Sequence, residues 1–197
     1  MKGNCLTMDF LNARAQLDDR NYLLATIAYH AAPVYSGRKP SALINLGRPE
    51  SRLAELWTKY REDIGNGKGP FSAKGLSFAV FYDRKGDMQA FCYDREHIGM
   101  VWSDSNIHAY LDGYGYRSSF GVEDCILVLQ RRFFCGCPHE IGIFLGYPLP
   151  DVKAFILNSG KNYLLNGYWK VYSNVPNAIR TFEAFDQAKR NALREWV

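Results

Sequence analysis

Two cysteines and a histidine alternate with other residues near the middle of the chain. Cys135, Cys137 and His139 would project from one face of an extended segment, because side chains alternate along such a segment. Thiolate and imidazole groups are good ligands for zinc or iron, and Glu140 or Cys125 could complete the site. A single residue between two cysteines is, however, tighter than the usual zinc spacing. The pattern therefore leaves three interpretations: a metal site, a redox pair of thiols, or partly buried thiols without chemistry.

The adjacent residues His139 and Glu140 are candidate catalytic groups. Because they follow Pro138, both are expected in the first turn of a helix, whose dipole favours the carboxylate and disfavours a charged imidazole. A neutral His139 is a candidate general base. Neighbouring helix residues point about 100° apart, so the two are not a preformed acid/base pair. The alternative is that Glu140 caps backbone amides while His139 donates to a carbonyl oxygen.

Aromatic residues and one cation lie together at 168–172. Strand alternation would place Tyr168, Lys170 and Tyr172 on one face and Trp169 on the other. The first set could form a ligand-binding surface. The alternative is that these side chains only pack across neighbouring strands.

Three polar residues surround the start of the first predicted strand, namely His30, Lys39 and Ser41. In a mixed sheet this turn is expected to approach residues 137–147. That approach would create a pocket for an anion or another small molecule. The pocket would gather His30, Lys39, His139, Glu140 and Tyr147.

The apolar spacing predicts the elements that must position these residues. Short apolar runs predict strands at 41–46, 76–82 and 88–93, and alternation predicts a fourth at 162–172. Helices are expected from Asp19 to a stop at Pro33 and at 53–64, 122–133, 139–145, 151–158 and 176–192, with one or two more in 94–113.

The order of these elements predicts the fold class. One connection, from the first strand through the helix at 53–64 to the second strand, is typical of a βαβ unit. The strands at 76–82 and 88–93 read as a hairpin instead. We therefore expect an α/β fold, with α+β as the alternative. It would have a small mixed sheet of about four strands and five to seven helices in two or three layers.

A glycine-rich segment at 65–70 contains a Gly-Lys pair, as phosphate-binding loops do. No Ser or Thr follows the Lys, and the segment leaves a helix rather than a strand. A plain loop is therefore expected.

The composition is that of an ordinary globular protein. The 197 residues are 47% hydrophobic and 22% charged, which predicts one domain at 1–197 with a loosely ordered extension at 1–18. The net charge of +4 is scattered along the chain, which argues against a nucleic-acid partner. The N-terminus lacks a signal-peptide pattern, no apolar run is long enough to span a membrane, and the five cysteines favour a reducing cytoplasm.

The most distinctive segment is rich in Pro, Gly, His and aromatic residues. It reads Cys137-Pro-His-Glu-Ile-Gly-Ile-Phe-Leu-Gly-Tyr-Pro-Leu-Pro-Asp-Val-Lys-Ala-Phe-Ile156, followed by Gly160-Lys161 and Asn166-Gly-Tyr-Trp-Lys-Val-Tyr172. With His30-Ala-Ala-Pro33 and Gly37-Arg-Lys-Pro-Ser41, the pattern resembles domain-of-unknown-function family 3793 of anaerobic and Gram-positive bacteria over about residues 20 to 190. Because that family has no established activity, the resemblance implies an architecture and a set of positions rather than a reaction.

The same resemblance implies a Cys after His30, where this chain has Ala31. If the family uses that thiol chemically, this member cannot do so.

Together these patterns favour a cytoplasmic binding or accessory protein for a small anionic ligand or a protein partner. The alternative is an enzyme that uses His139 and Glu140, with a thiol or metal at Cys135 and Cys137. The sequence requires no cofactor, although zinc or iron is compatible with the alternative. The predicted ligand-binding residues are His30, Lys39, Ser41, Tyr147, Tyr168, Lys170 and Tyr172.

Overall fold

The computed structural model describes residues 2–65 and 69–196, so positions 66–68 of the expected glycine-rich loop lie outside the described residues. The described strands are β1 (Ser41–Gly47), β2 (Leu76–Tyr82), β3 (Met88–Asp94), β4 (Leu165–Asn166) and β5 (Lys170–Val171). The described helices are α1 (Lys2–Arg14), α2 (Asp19–Tyr35), α3 (Arg52–Gly65), α4 (Arg95–Trp102), α5 (Ser105–Leu111), α6 (Val122–Phe134), α7 (Ile141–Phe144), α8 (Leu149–Leu157) and α9 (Val175–Trp196). Two 3₁₀ turns lie at Ser72–Lys74 and Asp112–Tyr114.

Strands β1, β2 and β3 form an antiparallel sheet with β3 in the centre. Ser41 of β1 lies opposite Tyr93, and Leu76 of β2 lies opposite Asp94. Strands β1 and β2 therefore run parallel and are connected through α3, but β3 lies between them. The predicted combination of helices with a small sheet is confirmed. All paired neighbours are nevertheless antiparallel, because the β2–β3 hairpin inserts its second strand beside β1.

Side chains that alternate along β3 face two different cores. Ala90 and Cys92 belong to a core shared with α2 and α3, whereas Phe91 and Tyr93 belong to one shared with α4, α6, α7 and α8. Both faces of the central strand are thus covered, which explains its nearly continuous apolar sequence. The sheet forms the middle layer of three.

The strand expected at 162–172 is instead a small antiparallel hairpin made of β4 and β5. The chain reverses at Gly167, where a Cβ atom would lie 2.2 Å from a ring carbon of Phe182 in α9. Only a glycine fits at such a distance from the ring. Because the chain turns here, strand alternation does not govern the directions of Tyr168 and Trp169.

The two terminal helices pack against α2. Phe10 of α1 stacks on Tyr29 of α2, with ring centroids 4.0 Å apart. Ala32 of α2 meets Ala188 and Ala192 of α9, and these small side chains allow a close approach of the two helices. The division of the chain into one domain with an extension stays a prediction.

The structure bears on two expectations about helices, namely where α2 ends and whether any helix could span a membrane. Helix α2 continues two residues beyond Pro33, so the predicted stop at this proline is wrong. The backbone ends the helix through the Ser36 amide, which donates to the carbonyl oxygens of Ala32 and Val34. Among the described residues, no helix is both long and apolar enough to cross a membrane.

Candidate functional site

A pocket of about 210 Å³ lies between α7, α8 and the β4–β5 hairpin. Its walls are formed by Ile141, Gly142, Tyr147, Val152, Phe155 and Trp169. Its polar lining comes from Cys137, His139, Asp151 and Lys170. An apolar concavity with a few polar groups at defined positions is typical of small-molecule sites.

Two glycines allow the chain to form one wall of this pocket. Gly146 has a φ of +77°, and a Cβ atom there would lie 2.5 Å from Cδ of Pro40, next to β1. A Cβ atom on Gly142 would lie 3.0 Å from the side chains of both Tyr147 and Val152. The absence of side chains at these positions lets the turn after α7 fold back onto the helix and brings the two wall residues together.

The buried carboxylate of Asp151 joins α8 to the hairpin. Its Oδ2 atom accepts a hydrogen bond of 2.8 Å from Nε1 of Trp169. Its Oδ1 atom accepts from the backbone amides of Tyr172 and Ser173 and from the Ser173 hydroxyl, each at 3.0 Å. Because four donors converge on this carboxylate, its role is to fix the Trp169 ring as a wall of the pocket.

Two basic side chains flank Phe155 at the mouth of the pocket. The His139 ring lies edge-on to the Phe155 ring, with 5.2 Å between centroids. The Lys170 Nζ lies 5.7 Å from the same ring and donates a 2.7 Å hydrogen bond to the Gly160 carbonyl. The same Nζ also lies 5.1 Å from the Tyr163 ring. An ammonium has three donors, and Gly160 is its one hydrogen-bond acceptor among the described residues, so two N–H groups of Lys170 are available for a ligand. The mouth is therefore suited to an anionic group.

The three cysteines of the predicted metal site differ in their exposure to solvent. Cys135 and Cys137 are exposed free cysteines, and Cys137 lines the pocket. Partial burial of the Cys137 thiol, with a smaller effect of Glu140, raises its pKa. Cys125 lies on the buried face of α6. Within the part of the chain that the structure describes, no group of three His, Cys, Asp or Glu side chains could hold a metal ion.

Glu140 faces away from the pocket that His139 lines. Its side chain is only 1% exposed and forms an ion pair with Arg132 of α6. Burial, together with the charge of Glu140, raises the pKa of the nearby Tyr116 above its ordinary value. The His139 and Glu140 side chains thus have different surroundings, and the carboxylate is engaged in joining α6 to the start of α7.

The start of β1 does approach the predicted segment, and its contacts connect the sheet with the pocket wall. The Ser41 hydroxyl donates a 2.7 Å hydrogen bond to the Phe144 carbonyl. The Lys39 Nζ lies 5.5 Å from the Tyr147 ring, which also stacks on Trp169. Burial, with a smaller effect of Lys189, lowers the pKa of Lys39 to about 8. Burial also raises the pKa of Tyr147 to about 12.

A family described as "Protein of unknown function (DUF3793)" matches residues 27–197. The chain belongs to this family. The resemblance inferred from the sequence is thereby confirmed, and every residue of the pocket lies inside the matched region. No curated protein and no solved structure matches the chain.

Other predicted site residues of this DUF3793 protein lie elsewhere. His30 packs edge-on against Phe10 and Tyr29, and its burial lowers its pKa to about 4. Tyr168 donates a 2.7 Å hydrogen bond to Asp186 and lines a separate cleft beside α9. The structure therefore groups Cys137, His139, Tyr147 and Lys170 around one pocket, and it does not bring His30, Glu140, Tyr168 and Tyr172 into that group.

Several pocket residues of the DUF3793 chain were not among the predicted site residues. Val152 and Phe155 were assigned only to a helix, and Trp169 only to the opposite strand face. Asp151 carries a sequence signal that could have been used, since an acidic residue in the first turn of a helix often accepts hydrogen bonds. Its partners come from the hairpin that follows, which local spacing does not reveal.

Proposed function

We propose that this DUF3793 protein is a bacterial cytoplasmic binding protein for a small molecule with an apolar body and an anionic group. The observation that carries the proposal is the apolar pocket with Lys170 and His139 at its mouth. In this arrangement the apolar body enters between Val152 and Trp169. The anionic group remains beside the Lys170 ammonium.

The physical properties of the pocket support these two parts of the ligand. Each Å² of apolar surface removed from water contributes about 25 cal/mol of favourable free energy, so the aromatic walls favour a ligand with an apolar body. A solvent-exposed cation at the mouth adds little binding affinity, but it determines the orientation of the ligand and favours a negatively charged one. The Trp169 ring is held by Asp151, so this wall is formed before the ligand arrives.

A reducing compartment fits the cysteines of the described chain. Cys92, Cys125, Cys135 and Cys137 are all free. Disulfides are rare in the cytoplasm, where thiols are kept reduced. The enzymatic alternative has less support, because Glu140 is engaged with Arg132 and does not line the pocket.

Isothermal titration with 2-naphthoate tests the proposal. This probe has a flat apolar body and one carboxylate, and 2-naphthalenemethanol provides a neutral analogue of the same shape. We expect a Kd for 2-naphthoate of about 1 mM or tighter, from roughly 0.3 kcal/mol per non-hydrogen atom. The K170Q variant should bind 2-naphthoate roughly two- to fivefold more weakly, since an ion pair of a partly exposed charge is worth up to about 1 kcal/mol.

The controls separate a local effect from a general one. The K153Q variant removes an exposed lysine from the same region of the chain and should bind 2-naphthoate as the wild type does. The neutral analogue should bind wild type and K170Q equally. Equal 2-naphthoate binding by K170Q and wild type would contradict the role of the cation, and binding unchanged by F155A would contradict the pocket itself.

A further inference from the structure

Another concave surface lies beside Phe185 and shares no lining residue with the apolar pocket. This cleft of about 380 Å³ is lined by the loop between α2 and β1, by the first turn of α4 and by α9. These elements contribute Arg38, His97 and Arg180, with Thr181 and Phe185 beside them. Three basic side chains from separate parts of the chain thus converge on one cleft.

The positive charge of this cleft is not compensated locally. Its lining residues include no carboxylate. Across the described ranges 2–65 and 69–196, neither Arg38, His97 nor Arg180 forms an ion pair. With the described residues, the Arg180 guanidinium makes a single long hydrogen bond of 3.4 Å, to Asn177. Asp94, which precedes α4, is engaged in capping that helix by accepting from the His97 amide.

A buried cation lies against Phe185, which lines the cleft. Lys39 is 9% exposed, and its Nζ lies 5.8 Å from the Phe185 ring. Its ammonium lies against two aromatic rings, and no carboxylate of the described residues pairs with it. An ammonium buried without a counterion is costly, and the lowered pKa of Lys39 reflects that cost. An anion bound in the cleft beside Phe185 would offset part of this cost.

We propose that this cleft binds the phosphate groups of a small molecule, with Arg38 and Arg180 as the direct ligands. A planar guanidinium donates two parallel N–H groups to phosphate oxygens, and two such groups can hold a diphosphate from both sides. His97 supplies a third donor. Lys39 attracts the phosphate electrostatically and does not touch it. The proposal is independent of the apolar pocket and of its ligand.

Isothermal titration with inorganic pyrophosphate and with adenosine diphosphate tests this site. We expect both to bind the wild type, with R38Q and R180Q each weakening binding about tenfold. R194Q removes an exposed arginine from the same helix as Arg180 but outside the cleft, and it should leave affinity unchanged. Equal affinity for the two probes would assign recognition to the diphosphate alone. Tighter binding of adenosine diphosphate would show that an organic part contributes.

The K39M variant distinguishes the loss of electrostatic attraction from a general disturbance of the fold. It should weaken pyrophosphate binding at least threefold while the thermal unfolding temperature stays equal or rises. A variant that merely disturbed the fold would lower both quantities. The same experiments on 2-naphthoate binding should show no change in R38Q or R180Q, so the two sites are distinguishable.

Two outcomes would overturn the proposal. One is the absence of pyrophosphate and adenosine diphosphate binding at low salt, where phosphate contacts are strongest. The other is an equal loss of affinity in R194Q, R38Q and R180Q, which would mean that the probes respond only to overall charge.

Discussion

At the scale of single residues, the most informative side chain is Lys39. Its ammonium is buried between the rings of Tyr147 and Phe185, which belong to the apolar pocket and the basic cleft respectively. Cation–π contacts of this kind stabilise a desolvated cation only in part. The chain thus retains a residue that costs stability, as residues kept for binding often do.

The K39M substitution should stabilise the protein at neutral pH by about 1–3 kcal/mol, since a pKa difference of one unit corresponds to about 1.36 kcal/mol. The folded-state pKa of about 8 lies below the ordinary value of 10.5. Between these values the unfolded chain binds more protons, so wild-type stability rises with pH over this window. Below about pH 8 the buried Lys39 carries its charge, and the full cost of burying that charge lowers the stability of the folded protein. Urea unfolding at a series of pH values measures the effect.

The exposed Lys85 provides the control for this experiment. K85M should change neither the free energy of unfolding nor its dependence on pH relative to the wild type. If K39M destabilised the protein at pH 7, or kept the wild-type rise in stability between about pH 8 and 10.5, the account of Lys39 would be wrong.

The sequence identified part of the site from residue types alone. His139, Tyr147 and Lys170 stood out because imidazole, phenol and ammonium groups can act on ligands, and the structure brings them to one pocket. Val152 and Phe155 look like ordinary core residues, because nothing in a helix pattern indicates that its apolar face borders a cavity rather than a neighbouring element.

At the scale of elements, strands were predictable where alternation and turn residues agree. The hairpin of β2 and β3 was located within one residue at each end, because two apolar runs surround a polar turn. The β4–β5 hairpin was not, since each strand has only two residues. Its reversal depends on Gly167 meeting Phe182, a contact between segments that local periodicity does not contain.

The turn after α7 supplies a test of how the pocket wall is built. G146A should destabilise the protein by about 2–4 kcal/mol, because the new methyl group would overlap Pro40 and the residue would keep a positive φ. Binding of 2-naphthoate should weaken with it, since Tyr147 follows directly. Chemical unfolding and titration measure the two effects.

Gly75 is a closely matched control for that substitution. Its φ is also +77°, but a Cβ atom there would meet nothing within 4 Å. G75A should therefore cost only about 1 kcal/mol, which is the conformational penalty alone. Equal losses in G75A and G146A would mean that contact with Pro40 does not hold the turn in place.

At the scale of the whole molecule, the sheet separates two cores, and the proposed ligand pocket lies on one side of it. The layered arrangement was predictable, because both faces of β3 carry apolar residues. The position of the pocket was not, since it depends on α7, α8 and a distant hairpin meeting through Asp151. Long-range contacts of this kind are set by the packing of the complete chain.

The central claim is that the pocket between α7, α8 and the hairpin binds a small apolar anion. Methyl-resolved NMR during a titration with 2-naphthoate tests it most directly. We predict saturable shifts for the methyl groups of Ile141 and Val152, which line the pocket. The methyl groups of Ile44 and Leu46, in the core on the other face of the sheet, should not move. Shifts confined to other methyl groups, or none at millimolar ligand, would contradict the account.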